Sequence, residues 1–346
     1  MPIFTHAEFD GHEGVFFAEE RAAGLRTIIA IHDTRLGPAL GGCRIWPYAD
    51  ENAALTDVLR LSRGMSFKAA LAGLPLGGGK SVILADARHD KTPEMMRAMG
   101  RAVDRLAGAY IVAEDVGASV ADMDEVARET RYVSGTSAHV GDPSPWTAEG
   151  VALAMETAVA RRLNRGFDGL RVTITGLGHV GANLARRLAA AGALLTLADI
   201  RDDVANAVAA ETGGTLVDPA TAHASQADVF APCALGAVLN RRSIPEIGAP
   251  IVCGAANNQL AEASDDARLV ACGILYCPDY LVNAGGLISV ARPITGMDEV
   301  AARAALSRMP ETLTTILDTA EDAGMPPGAA ADRLARDRMG AHEDAP

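Results

Sequence analysis

Three short segments set amines and a carboxylate among glycines and small residues: Gly64-Met65-Ser66-Phe67-Lys68, Gly77-Gly78-Gly79-Lys80 and Ala113-Glu114-Asp115-Val116-Gly117. Two amines and a carboxylate suit an α-amino-acid substrate. One amine can hold the substrate carboxylate, and the other accepts a proton once its pKa is lowered. Burial and a neighbouring ammonium both lower a lysine pKa, by about 3–5 units in extreme cases. Of 31 basic residues only Lys68, Lys80 and Lys91 are lysine, and the rest are arginine. Arginine keeps its proton near neutral pH, so a lysine retained against that bias marks a place where an amine is needed. Lys91, in the polar run Arg88-His89-Asp90-Lys91, reads as a solvated turn, which leaves Lys68 and Lys80. A structural ion pair between Lys80 and Asp115 is the competing reading, and their glycine-rich setting argues against it.

A second constellation lies further along. The run RVTIT at 171–175 reads as a strand and leads into Gly176-Leu177-Gly178-His179-Val180-Gly181, then into the helical stretch ANLARRLAAAG. A further strand at 194–199 ends on Asp199, 18 residues past Gly181. This is the setting a dinucleotide-binding turn requires, with an acidic residue about 20 residues on. Gly176 permits the tight turn, Gly178 lets backbone approach a pyrophosphate, and Gly181 allows close packing of helix on strand. The helix N-terminus then offers free N–H groups and positive partial charge. Asp199 can accept from a ribose 2′-hydroxyl and repels a 2′-phosphate, which favours NAD over NADP. Arg201 is the residue that could accommodate a phosphate.

The elements that must position these residues alternate in type. In the first half, strands are expected at 26–33, 81–86 and 110–115. Helices are expected at 51–63, from Thr92-Pro93-Glu94, and at 120–130. Glycine-rich loops are expected at 36–42 and 73–80. A turn-rich linker at 135–147 precedes a helix at 147–162. Strands at 171–175, 194–199, 228–232, 250–254 and 274–277 then alternate with helices at 179–191 and 202–211, which predicts a parallel sheet. Helices at 297–323 and 328–340 close the chain. The fold class is α/β with two domains. The linker divides a mixed α/β unit from a second unit of alternating strands and helices that carries the dinucleotide turn.

Composition narrows the function classes. The 346 residues are 49% hydrophobic and 22% charged, a balance that supports sizeable cores rather than disorder. A net charge of −13 repels phosphate backbones and anionic lipid, so no nucleic-acid or membrane partner is expected. No secretory signal and no run of about 18 apolar residues is visible. Five cysteines without a CxxC pair point to reduced thiols, a cytoplasmic location and no metal site.

The motifs LGPALGGCR (36–44), GMSFKAALAG (64–73), LGGGKSVI (76–83), AEDVG (113–117), APCALGA (231–237), GAANNQL (254–260) and PDYLVNAGG (278–286) fall in order around the dinucleotide turn. With them the chain resembles the glutamate/leucine/phenylalanine/valine dehydrogenases from about residue 10 to 339, most closely the leucine branch. The resemblance implies reversible, NAD-dependent oxidative deamination of a branched-chain L-amino acid to a 2-oxo acid and ammonia. It implies Lys80 as catalytic lysine, Asp115 as the group exchanging a proton with the substrate amine, and Lys68 as the carboxylate-binding lysine. Thr147, Ala234 and Asn258 would line the cofactor beside Gly176, Leu177, Gly178, His179, Val180, Gly181 and Asp199. Leu40, Met65, Ala113, Leu287 and Val290 would build the side-chain pocket. It also implies a cleft between the two domains, an N-terminal α/β catalytic and oligomerisation domain over 1–140 plus about 325–346, a Rossmann dinucleotide-binding domain over 141–324, and a homo-oligomer, dimer or octamer. The departures are Cys43 where threonine is common, a shortened loop at 136–144, and Leu287 where valine is typical. The same reaction on phenylalanine or valine is the alternative. A non-catalytic NAD-binding sensor would require Lys80 or Asp115 to be missing.

Overall fold

The computed structural model describes residues 3–138 and 142–340. Residues 139–141, within the loop 136–144, and 341–346 lie outside the described residues. The chain divides into two compact units. One holds the described part of 1–141, Val290–Met297 and the described part of 335–346; the other holds Asp142–Ser289 and Asp298–Leu334.

The first unit runs β1 (Gly14–Glu20), β2 (Leu25–Asp33), β3 (Ala39–Trp46), α1 (Glu51–Leu71), β4 (Gly77–Leu84), α2 (Pro93–Asp104), β5 (Tyr110–Glu114) and α3 (Val120–Val126). Its described strands form one sheet in the order β1-β2-β4-β3-β5, antiparallel from β1 to β4 and parallel from β4 to β5. Strand side chains alternate between faces. Accordingly Ile28, Ala30 and Val82 meet Ala54, Leu55, Val58 and Leu59 of α1. On the other face Ile29, Ile31, Cys43, Ile45 and Ile83 meet methionines 95, 96 and 99 of α2 and Met123 and Val126 of α3. Helices on both faces explain why β2 is buried at every position except Arg26, with the apolar run Ile28-Ile29-Ala30-Ile31 at its centre. Local signals set the helix starts. Asp50 accepts from the N–H of Ala53 at 2.8 Å, Thr92 from that of Met95 at 3.1 Å, and Ser119 with Asp122 forms a capping box.

The second halves of two expected loops, 36–42 and 73–80, prove to be strand. Residues 39–42 open β3 and 77–80 open β4. Glycine usually signals a turn, but here it answers crowding. A Cβ on Gly41 would lie 1.7 Å from the carbonyl oxygen of Gly79, and one on Gly78 would lie 1.9 Å from the Ser66 nitrogen of α1. Only a residue without a side chain lets these backbones cross so closely. Lys80 therefore sits inside a strand.

The second unit carries α4 (Ser144–Leu163), β6 (Arg171–Thr175), α5 (His179–Ala190), β7 (Leu194–Ala198), α6 (Asp202–Thr212), β8 (Thr215–Leu216), β9 (Val229–Pro232), β10 (Ile251–Val252), α7 (Ser264–Ala271), β11 (Leu275–Tyr276) and α8 (Asp279–Val282). Its described strands are all parallel, ordered β11-β10-β9-β6-β7-β8. Then follow α9 (Gly285–Thr295), α10 (Glu299–Ser307), α11 (Met309–Ala323) and α12 (Pro327–Arg338). The single helix expected over 297–323 is thus two, α10 and α11. Pro310, which has no N–H to donate to a preceding turn, takes the first turn of the second. Among the described residues no helix is long and apolar enough to cross a membrane, and no group of acidic, histidine and cysteine side chains is placed to hold a metal.

Candidate active site

Lys80 is the fourth residue of β4, paired with Ala30 of β2, and is 6% exposed. Asp115 follows β5. Two strands that bracket β3 thus deliver an ammonium and a carboxylate to one point: Lys80 Nζ lies 2.5 Å from Asp115 Oδ2. The room for this contact comes from Gly42 of β3, whose Cβ would lie 2.7 Å from Asp115 Cβ and 3.1 Å from Lys80 Nζ. Arg44, which sequence reasoning did not single out, places Nε 3.3 Å from the same Asp115 oxygen and donates from Nη1 to Asp57 at 2.9 Å. The Tyr48 hydroxyl donates to Asp57 at 2.5 Å. Burial works against the Asp115 charge, but Lys80, Arg44 and the Val116 N–H outweigh it and hold the carboxyl at about 2. Asp115 is ionised at any working pH.

Behind this pair lies a closed layer of weak polar groups. Tyr110 donates to the Gly41 carbonyl at 2.8 Å, and its hydroxyl is 3.0 Å from Ser81 Oγ. Cys43 lies fully buried beside them, and burial pushes its thiol up to about 12. A thiol so protonated is no nucleophile. The cysteine departure is a packing residue.

Lys68 and Met65 occupy the last two turns of α1 and are half-buried. Ser66, between them, anchors that stretch: its Oγ is 2.8 Å from His32 Nδ1 on β2. The other ring nitrogen of His32 faces Asp10 at 3.8 Å, and Asp10 accepts from Arg336 at 2.6 Å. Leu40 is buried in β3 and Ala113 half-buried in β5. Val290 belongs to the first unit, where its carbonyl accepts from Ser134 at 3.3 Å. Leu287, on α9, belongs to the second.

Lys91 is not the solvated turn its polar neighbours suggest. Its side chain is 24% exposed and its Nζ donates to the Gly117 carbonyl at 3.0 Å and to Asp122 at 2.7 Å.

In the second unit the glycine turn has the expected form. Gly176 has φ +88°, in the region that favours glycine, and a Cβ there would meet Ala234 at 2.6 Å. A Cβ on Gly181 would lie 1.9 Å from the Gly176 carbonyl oxygen, while one on Gly178 would meet nothing within 4 Å. The first and third glycines serve packing. The second leaves open space at the start of α5, where His179 is exposed and Val180 half-buried. Leu177 is buried and acts through its backbone, whose N–H donates to Asp199 at 2.6 Å. The Arg201 N–H donates to the other Asp199 oxygen at 2.9 Å, and its Nε lies 3.4 Å away. Burial opposes the Asp199 charge, but these donors keep its carboxyl below the usual range. Ile200, beside it, is 88% exposed. Asn258 has φ +51° and donates its N–H to Asp279 at 2.7 Å. Thr147 stands in the first turn of α4, its hydroxyl donating to the Pro143 carbonyl at 3.2 Å. Asn283 is a further residue missed in sequence: it is buried, donates to the Ala255 carbonyl at 3.1 Å, and leaves its Oδ1 without a hydrogen bond. The open position at Gly178, the helix start and the fixed Asp199 carboxylate fit a dinucleotide.

Residues 15–132 match the family model described as Glu/Leu/Phe/Val dehydrogenase, dimerisation domain, and 194–340 match that of glutamate/leucine/phenylalanine/valine dehydrogenase. The chain belongs to this family. As an amino-acid dehydrogenase it is 43% identical over 343 residues to leucine dehydrogenase of Geobacillus stearothermophilus, covering 98% of this chain and 94% of the relative. It is 45% identical over 344 residues to valine dehydrogenase of Streptomyces coelicolor, covering 96% and 94%. The crystal structure of L-tryptophan dehydrogenase from Nostoc punctiforme matches with a TM-score of 0.84, at 43% identity over 96% of each chain. Dehydrogenases of this family take a nicotinamide cofactor.

Proposed function

We propose that the protein catalyses the reversible, NAD-dependent oxidative deamination of a branched-chain, leucine-like L-amino acid to its 2-oxo acid and ammonia. The buried contact between Lys80 and Asp115 carries this reading. Lys68 holds the substrate carboxylate. Nicotinamide, when bound, accepts the hydride from the substrate Cα. Lys80, with its amine in the neutral form, takes a proton from the water that adds to the resulting imine carbon, and Asp115 passes protons to and from the amine as ammonia leaves. At 2.5 Å the two side chains can exchange a proton without solvent. The reverse direction tests it: a branched-chain 2-oxo acid with ammonium should consume NADH and yield the amino acid. No consumption with any aliphatic or aromatic 2-oxo acid would favour a non-catalytic NAD-binding protein.

Asp199 supports NAD, with Thr147, Ala234 and Asn258 as further lining residues. Arg201, the candidate phosphate partner, is held at Asp199. NAD should therefore give much faster turnover than NADP. Comparable kcat/KM for the two cofactors would refute the assignment and point to Arg201 as a phosphate ligand.

Leu40, Met65, Ala113, Leu287 and Val290 are the proposed side-chain pocket. Leu287 is one methylene larger than valine, and one methylene in an apolar pocket is worth about 1–3 kcal/mol, roughly 10–200-fold in discrimination. Leucine, isoleucine and valine should all be accepted, with phenylalanine poor. Leu287→Ala should raise the rate on phenylalanine relative to valine, measured as a ratio of kcat/KM. The likeness to the Nostoc L-tryptophan dehydrogenase favours the aromatic alternative, and an unchanged ratio in Leu287→Ala would remove this residue from the pocket.

A homo-oligomer, dimer or octamer, is supported by β1. It is the edge strand of its sheet, lies but for Gly14 within the match to the dimerisation domain, and exposes Phe17 at 64%. The five cysteines are all free, which suits a reducing, cytoplasmic setting.

A further inference from the structure

The retention of lysine at 91, in a chain that uses arginine almost everywhere else, has a structural counterpart. Lys91 immediately precedes Thr92, the cap of α2. Its Nζ reaches the carbonyl of Gly117, two residues beyond Asp115, and the carboxylate of Asp122 in the first turn of α3. Asp122 Oδ2 also accepts from the N–H and hydroxyl of Ser119 at 2.7 and 2.8 Å. One ammonium thus ties the start of α2, the turn after β5 and the start of α3 together.

That turn decides where the Asp115 carboxylate points. The Asp115 carbonyl accepts from the Ala118 N–H at 2.9 Å, and the Val116 carbonyl accepts from the Ile45 N–H at 2.9 Å. Gly117 has φ +84°, and a Cβ there would lie 2.4 Å from the Ile45 carbonyl oxygen. The N–H of Val116 itself donates to the Asp115 carboxylate. The Gly117 carbonyl has the ammonium of Lys91 as its partner. A compact donor on a flexible stem fits a carbonyl and a carboxylate at once, whereas the planar guanidinium fork is shaped for paired oxygens.

We propose that Lys91 is a positioning residue for the dehydrogenase reaction: by holding the Gly117 carbonyl and Asp122 it fixes the Asp115–Gly117 turn and so the placement of the Asp115 carboxylate against Lys80. This rests on the role proposed above for Asp115. The Lys91 ammonium is spent on two protein groups, Gly117 and Asp122, so its loss is expected to act on the chemical step and not on binding.

The test compares Lys91→Met, which keeps most of the stem and removes the ammonium, with Lys91→Arg, Asp122→Asn and Asp115→Asn in the full-length protein. All are assayed with leucine and NAD well below each variant's Tm. Displacements of about an ångström in a catalytic group cost up to about 100-fold. Lys91→Met is therefore expected to lower kcat by about 10–100-fold, with KM for leucine and for NAD within about twofold of the parent. Lys91→Arg should recover part of the loss. Asp122→Asn, which keeps the capping acceptor but weakens the hold on Lys91, should fall between, and it carries the test if Lys91→Met does not fold. A lowered Tm with unchanged kcat in Lys91→Met, or in Asp122→Asn where that variant stands in, would make the contact structural only and overturn the proposal. A rise in KM for leucine at unchanged kcat would also overturn it. If Asp115→Asn itself turns over normally, the reading of Asp115 fails. If Asp115→Asn is inactive and Lys91→Met is normal, only the role of Lys91 falls.

Discussion

Lys80→Ala is expected to nearly abolish turnover while NAD still binds. The substitution removes the proton acceptor and leaves the glycine turn, Asp199 and α5 untouched, since these belong to the other unit. A positioned acid–base group contributes typically about 10²–10⁴-fold, and a loss of that size in kcat is the expected result. Lys80→Arg should fail almost as badly. Arginine stays protonated at any working pH, and its planar fork is bulkier than the ammonium now packed beside Gly42. Steady-state kinetics with leucine, together with a titration of NAD binding, checks both variants. An arginine variant with near-normal kcat would refute proton transfer by Lys80.

Asp115→Asn should cost a similar factor, about 10²–10⁴ in kcat, because the amide cannot accept a proton. The fall should be uniform with pH. Asp115 is held at about 2, so it is already ionised on both sides of neutrality and supplies no limb to the rate profile. A variant whose only change is a shifted acid limb near neutral pH would contradict this. Removing one partner of a buried pair also destabilises, by about 3–5 kcal/mol where both groups are fully desolvated. Asp115 keeps part of its side chain in solvent, so the loss here should be smaller. Rates should be compared well below the variant's Tm.

The second unit was the more legible in sequence because its signals are local. The strand RVTIT, the three glycines, the helix after them and Asp199 form one short βαβ segment in which spacing alone fixes geometry. The first unit depends on long-range crossings. Gly41, Gly42, Gly78 and Gly79 carry turn chemistry in their composition, but strand pairing and the close crossing of α1 decide their conformation. Strand β1, with two exposed phenylalanines, was not expected at all, since its pairing with β2 buries little of it. Lys91 misled for the same reason: its immediate neighbours are polar, while its partners Gly117 and Asp122 lie 26 and 31 residues away. Arg44 is the last residue of a motif that was read, yet its contact with Asp115 spans 71 residues and no local pattern announces it. The lysine count was the signal that reached across these distances. The structure places Lys80 against Asp115 and Lys91 against the Asp115 turn.

The most direct measurement is the rate of NADH formation, followed at its absorption band, when the purified protein is given NAD and each of leucine, isoleucine, valine, phenylalanine and tryptophan in turn. The expected result is turnover with all three branched-chain substrates at higher kcat/KM than with either aromatic one, together with release of ammonia and the 2-oxo acid. A higher kcat/KM for phenylalanine or tryptophan than for every aliphatic substrate, or no NADH with any of the five, would contradict it.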